Sequence, residues 1–328
     1  MSAVVQVSIH SSQFPESVQR DLSHSLRTRQ INHKFHYASV KQAQKWLEVH
    51  EAYSPARTDP NCTATYDSSF NGTVGRIPAE RINLISLGCG GGQKEVQLLR
   101  MLREAGKKVF YTPSDVSLAL VLTAYQNATE VIPAQNCRPV VCDLTTAEEL
   151  PELLKKSESY SAGRLITFFG MIPNFEPDLI LPKLARMLEV EDHLLLSANL
   201  APGLDYESGI RAVLPLYDNA LTRDWLMAFL LDLGIERQDG DVRFVIENCP
   251  TEAGLKRVVS YFLFHRMREV RLSGTIFQFA VGDIIRLFFS YRYTPDRVCH
   301  LLAKHRIAVL EQWITRSEEE GVFLCRKN

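Results

Sequence analysis

The residues best placed to do chemistry lie at the ends of short apolar runs. LISLGCGGGQKEVQLLRML, residues 84–102, passes from an apolar run through glycines 88, 90, 91 and 92 into leucines, valine and methionine at helical spacing. Glycine has no Cβ and reaches φ > 0, so such a turn lets a bulky ligand lie directly against backbone. Asp115 in YTPSDVS and Asp143 in VVCDLT each follow a further apolar run. A carboxylate there can accept two hydrogen bonds from a vicinal diol, or one from an amino group. Asn174, in ITFFGMIPNFEP, follows a fourth such run.

The elements that carry these residues alternate in type. Residues 82–87 form a strand candidate and 94–105 a helix; KVFYTPSDVS is a strand, 118–128 a helix, RPVVCDLT a strand, 147–156 a helix, RLITFFGMIPNF a strand into a loop, 178–188 a helix, and DHLLLSANL a strand. Such alternation implies a doubly wound α/β domain with a parallel sheet covered on both faces. It stops near Ala201. The next ninety or so residues hold a helical stretch, YDNALTRDWLMAFLLDLGI, and two β-like runs, RVVSYFLFHRMREVRL and TIFQFAVGD. After SYRYTPDRV a helix at 296–304, a strand IAVLEQWI, a polar turn TRSEEEG and a strand VFLCRK complete the first domain. The expected division is 60–200 with 293–328, and 1–59 with 201–292.

Composition limits the function classes. With 37 basic and 38 acidic residues among 328, no broad field would draw nucleic acid or an anionic membrane. The short clusters RTRQINHK and HRMREVR read as solvated faces. Seven cysteines without CxxC pairs, and nine histidines without HExxH, favour buried thiols in a reducing cytoplasm and no metal site. No run approaches the ~20 apolar residues of a membrane span. The expected partner is a small molecule, and the expected form a monomer or weak homodimer.

Three phosphate- or nucleoside-binding turns compete for the glycines. A P-loop requires GK[ST], whereas Lys94 follows Gln93 and precedes Glu95. A dinucleotide turn requires a third glycine where Gln93 stands. Gly88, Gly90 and Gly92 satisfy the GxGxG turn of S-adenosylmethionine (SAM) sites, with Asp115 placed for the ribose and Asp143 for the adenine amino group. Taken singly, each is also an ordinary βα-loop or helix-capping residue.

LISLGCGGGQKEVQLL, TPSDVS, VVCDLT and above all ITFFGMIPNFEP resemble the histidine-specific SAM-dependent methyltransferases, which trimethylate the α-amino group of histidine. The resemblance begins near KFHYASVKQAQKWLEVHEAYSPART and continues to the C-terminus. It implies a Rossmann-like class I methyltransferase domain, and an α+β substrate-binding domain assembled from the N-terminal segment and the late insertion. It also implies that Gly88, Lys94, Asp115 and Asp143 contact the cofactor, with Gly90, Gly92 and Gly170 on the same side and Tyr53 near both cofactor and substrate. Asn174 and Tyr217 match the pair that holds the substrate's α-carboxylate and amino group; Tyr37 matches a further substrate-side tyrosine. Outside the resemblance, Tyr37 and Tyr53 read equally as half-buried aromatics, and Asn174 as the cap of the next helix.

The departures fall in the substrate domain. Where the family has a glutamate that reads the imidazole ring, two residues before its serine, this chain has Phe288 before Ser290, and a family methionine aligns with Ser260. Phenylalanine offers no acceptor but stacks on an aromatic or apolar face. The expectation is therefore a SAM-dependent N-methyltransferase of a free amino acid, histidine or a related aromatic or modified one. Two alternatives stand beside it: a methyltransferase of a larger secondary metabolite, and a non-catalytic SAM-binding regulatory partner.

Overall fold

A computed structural model describes residues 4–55, 59–148 and 163–328. The chain divides into two compact units, one of Met1–Gln13, Asp59–Leu200 and Tyr293–Asn328, the other of Phe14–Thr58 and Ala201–Arg292. Residues up to Gln13 thus go with the first unit rather than with the substrate domain expected to begin at residue 1. The reason is local: Ser8–Ile9 pairs in parallel with Val140–Val141, and the Asp143 N–H donates to Ser12 Oγ at 3.0 Å.

The first unit is built on an eight-stranded sheet. Its order is Ser8–Ile9, Val140–Val141, Lys108–Asp115, Arg81–Leu87, Gly163–Phe168, His193–Asn199, Glu320–Lys327, Ile307–Ile314. The first six are parallel, and the last two run antiparallel to their neighbours. Arg81–Leu87 is central and buried along nearly its whole length, and four of its seven residues are leucine or isoleucine. The chain proceeds to one side of it through Lys108–Asp115 and to the other through Gly163–Phe168. The carboxyl ends of the central strands therefore flank a topological switch point, where open α/β sheets bind ligands.

Helices Gln93–Glu104, Leu118–Thr129, Pro177–Met187 and Pro295–Lys304 lie within two residues of their expected bounds. Two differences stand out. RPVVCDLT holds only a two-residue strand, Val140–Val141, and the helix expected at 147–156 falls mostly in 149–162, outside the described residues. Leu200 and Tyr293 form an isolated parallel bridge, so the chain leaves and re-enters this unit at one place. An insertion between adjacent points leaves the sheet's pairing intact.

In the second unit, Lys256–Phe264 is the middle of a three-stranded antiparallel sheet, between Gly240–Asn248 and Ile284–Arg292. The run 257–272 is not one strand: bends at His265 and Arg266 end it, and Arg268–Leu272 pairs separately with Thr275–Phe279. Gly240–Asn248 precedes it, so Ser260 lies on the second strand of the insertion, not the first. The N-terminal segment joins this unit through helices Pro15–Thr28 and Val40–Tyr53. Backbone bonds tie it to the sheet edge, with Ile31 N–H donating to Arg286 O and Arg286 N–H to Arg29 O, both 2.8 Å. Leu26, Phe35, Trp225, Phe229, Phe262 and Phe288 belong to one buried core there.

Candidate active site

The glycine turn in the first unit has the backbone its composition implied. Gly88, Gly90 and Gly92 have φ of +70°, +50° and +72°. A Cβ on Gly92 would lie 2.8 Å from the Ala124 Cβ, so this glycine lets helix Leu118–Thr129 approach the turn. One on Gly88 would come within 2.6 Å of the Met171 side chain, in the loop that also carries Gly170 (φ +66°) and Asn174.

Asp115 ends its strand against this turn. Its carboxylate accepts from Gly90 N–H at 3.1 Å and Ser117 N–H at 3.0 Å. Burial lifts the carboxyl above its usual range, opposed by the N–H groups of Ser117, Gly90 and Val116. A carboxylate offers about four lone-pair sites, so these N–H groups leave at least one for a ligand hydroxyl. Asp143 lies two residues past its short strand and accepts from Thr145 N–H at 2.9 Å and Thr145 Oγ1 at 2.5 Å, a local Asx-type turn.

Asn174 ends a single 3-10 turn, Ile172–Asn174. It does not cap the following helix, whose N-cap is Glu176. Its side chain is half-buried.

Lys94 is held in a cluster that the sequence left unmarked. Its ammonium donates to Tyr66 Oη at 2.5 Å and to Glu320 Oε1 at 3.4 Å, and lies 4.0 Å above the Tyr66 ring. The Tyr66 hydroxyl donates to Glu320 Oε1, and Cys62 Sγ to Oε2 at 3.4 Å. Burial pushes the Glu320 carboxyl up, but the Lys94 charge and hydrogen bonds from Tyr66, Cys62 and Ser197 outweigh it, holding the group below its usual range.

The second unit gathers Tyr217, Ser290, Phe288 and Ser260. Tyr217 Oη donates to Ser290 Oγ at 2.9 Å and accepts from Arg292 Nε at 3.0 Å. Arg292, buried and 5.1 Å from the Tyr217 ring centroid, was not marked as a site residue by the sequence. A β-bulge at Leu287 resets the alternation just before Phe288, which sits directly across from Ser260. Phe288 stacks on His33 (4.9 Å, 23°) and meets Trp225 edge-on (5.6 Å, 68°). Ser260 is fully buried, and its Oγ has no hydrogen-bond partner among the described residues. Tyr37 packs on Trp46 and Trp225, while Tyr53, half-buried, ends helix Val40–Tyr53.

Residues 18–327 match the model of the histidine-specific, SAM-dependent methyltransferases. The chain belongs to this family. It is a SAM-dependent methyltransferase, and the buried Asp115 carboxylate beside the glycine turn is an acceptor of the kind a ribose requires. The chain is similar to the N-methyltransferase imqF of Aspergillus flavus, 23% identical over 282 residues, 83% of this chain and 73% of the relative. Among solved structures it is similar to magnesium protoporphyrin IX methyltransferase from Synechocystis PCC 6803, at 13% identity and TM-score 0.46, covering 88% of this chain and 95% of that one. It is also similar to the 1,6-didemethyltoxoflavin-N1-methyltransferase of Burkholderia thailandensis, at 11% identity and TM-score 0.41, covering 88% of each. Among the described residues, no helix of the methyltransferase is long and apolar enough to cross a membrane.

Proposed function

We propose that the methyltransferase methylates a nitrogen of a free amino acid, or of a close derivative, whose side chain presents an aromatic or apolar face. The observation that carries this reading is Phe288. It occupies the position at which the family places its ring-reading glutamate, and its ring neighbours are His33, Trp225 and Tyr217. An imidazole N–H would lose its carboxylate acceptor there, which costs about 1–3 kcal/mol, whereas an apolar ring loses nothing.

When bound, SAM supplies a methyl group on a cationic sulfur. In the first unit, the positive-φ turn of Gly88, Gly90 and Gly92 sets the backbone path beside it and Gly170 leaves open space, with Asp115 accepting from the ribose, Asp143 from the adenine amino group, and Lys94 meeting the carboxylate. Asn174 orients the acceptor amine through its carboxamide. On the second unit, Tyr217 and Ser290 bind the acceptor's head group, Phe288 and Ser260 face its side chain, and Tyr37 and Tyr53 add aromatic and hydroxyl contacts. The amine must reach the methyl group neutral, since an ammonium has no lone pair, and alignment then supplies most of the acceleration.

Mass spectrometry of an amino-acid panel incubated with enzyme and SAM tests this reading. The expected result is a gain of one to three methyl increments on aromatic or apolar members, with histidine turned over at least about tenfold less efficiently, as loss of one charged acceptor requires. Histidine as the preferred acceptor, or methylation confined to larger metabolites, would overturn it.

A further inference from the structure

The cluster around Lys94 is more elaborate than packing requires. Cys62 and Tyr66 come from helix Pro60–Arg76, Lys94 from helix Gln93–Glu104, and Glu320 from the first position of strand Glu320–Lys327. Glu320 and Tyr66 are 6% and 3% exposed. A carboxylate in such a place costs several kcal/mol to desolvate, and apolar residues of similar volume would serve stability as well or better. Lys94 is unfavourably placed too: as the second residue of its helix, its charge faces the positive end of the helix dipole. Glu320 offsets both terms, and the result is a lysine fixed two residues beyond the glycine turn.

An ammonium carries three N–H donors. Tyr66 and Glu320 take one each. The Lys94 side chain keeps 22% of its surface exposed, so the remaining donor can meet an anion from solution. The Tyr66 ring, 4.0 Å below the ammonium, and Phe169 at 5.7 Å restrict where that donor can be.

We propose that Glu320 and Tyr66 are positioning residues for the cofactor, holding the Lys94 ammonium where its free N–H binds the α-carboxylate of the cofactor's methionine moiety. The inference rests on Lys94 as a cofactor contact and adds the two buried groups that act through it. Neither touches the cofactor. Their effect is confined to the amino-acid end of the ligand, which separates this role from a merely structural one.

Calorimetry on the full chain with two ligands reads that difference. S-adenosylhomocysteine carries the amino-acid carboxylate; 5′-methylthioadenosine has the same nucleoside and thioether but lacks it. Glu320→Gln should weaken S-adenosylhomocysteine binding about tenfold and leave methylthioadenosine within about twofold, the pattern for a misplaced charge-assisted hydrogen bond. Tyr66→Phe keeps the ring but removes the hydroxyl between Lys94 and Glu320; it should give the same split, and it decides the matter if Glu320→Gln does not fold. Unchanged S-adenosylhomocysteine affinity in either folded variant, or equal losses for both ligands, would overturn the proposal. Wild-type protein that bound neither ligand would overturn the cofactor assignment itself, and this inference with it.

Discussion

In the proposed site, Asp115 and Asn174 divide the work of the first unit between ligand holding and alignment. Asp115 accepts from the Gly90 and Ser117 N–H groups, so it shapes the turn in addition to the ribose contact proposed for it. Asp115→Ala removes an acceptor of both kinds and should weaken SAM binding by about ten- to a hundredfold in calorimetry, the range for a lost charged hydrogen bond. Asn174 caps no helix and sits at the end of its own short turn. Asn174→Ala should therefore lower turnover by about a hundredfold or more while SAM affinity stays within about twofold, because misalignment costs rate and not cofactor binding. Full activity in that variant would remove Asn174 from the site. At this scale the sequence was informative about motif residues and silent about their supports. Glu318, Glu319 and Glu320 stand together in TRSEEEG, yet only Glu320 is buried. Three consecutive glutamates carry no pattern that distinguishes them; the pairing of Glu320 with Asn199 does.

Helices Gln93–Glu104, Leu118–Thr129, Pro177–Met187 and Pro295–Lys304 were legible almost to the residue, because the strands that alternate with them mark their ends, whereas Pro15–Thr28, Val40–Tyr53 and Pro60–Arg76 were not marked. Strands were less so. Val140–Val141 is short because its neighbours Lys108–Asp115 and Ser8–Ile9 engage only two of its residues. The 257–272 run kept its β-like composition across a bend, so nothing local marked the change of sheet. Two glycines show how elements, not residues, set the cost of a change. Gly92 and Gly106 have nearly equal φ, +72° and +77°. Gly92 faces the backbone and Cβ of Ala124, whereas nothing lies within 4 Å of a Cβ on Gly106. Gly106→Ala should cost about 1 kcal/mol for its backbone alone, and Gly92→Ala about 2–4 kcal/mol, adding a clash between two helices. Urea midpoints of the two variants measure the difference; equal shifts would mean that helix Leu118–Thr129 yields freely.

For the whole molecule, acid sensitivity should originate in the second unit. His36 is fully buried, its Nε2–H donates to Leu287 O at 2.7 Å, and its Nδ1 has no hydrogen-bond partner among the described residues. Burial holds its pKa down to about 4, against an ordinary 6.5. The folded state therefore resists a proton that the unfolded chain accepts. Stability from this group is complete above pH 6.5 and declines as pH falls towards about 4, by up to roughly 3 kcal/mol. Urea unfolding across that window should show the decline in wild type and a flatter profile in His36→Leu. A decline of equal size in both would place the sensitivity elsewhere.

By itself the sequence determined the α/β class and the interruption near Ala201, because these follow from periodicity, and its motifs carried the family resemblance that implies the cofactor. It also marked Phe288 as a departure from the family's pattern. Tertiary structure decided what surrounds the marked residues: His33 and Trp225 against Phe288, Arg292 against Tyr217, and Glu320 behind Lys94. Those pairings join residues from 63 to 255 positions apart (225 and 288, 33 and 288). Register and crossover set such neighbours, and a one-dimensional pattern of residue types holds no record of either.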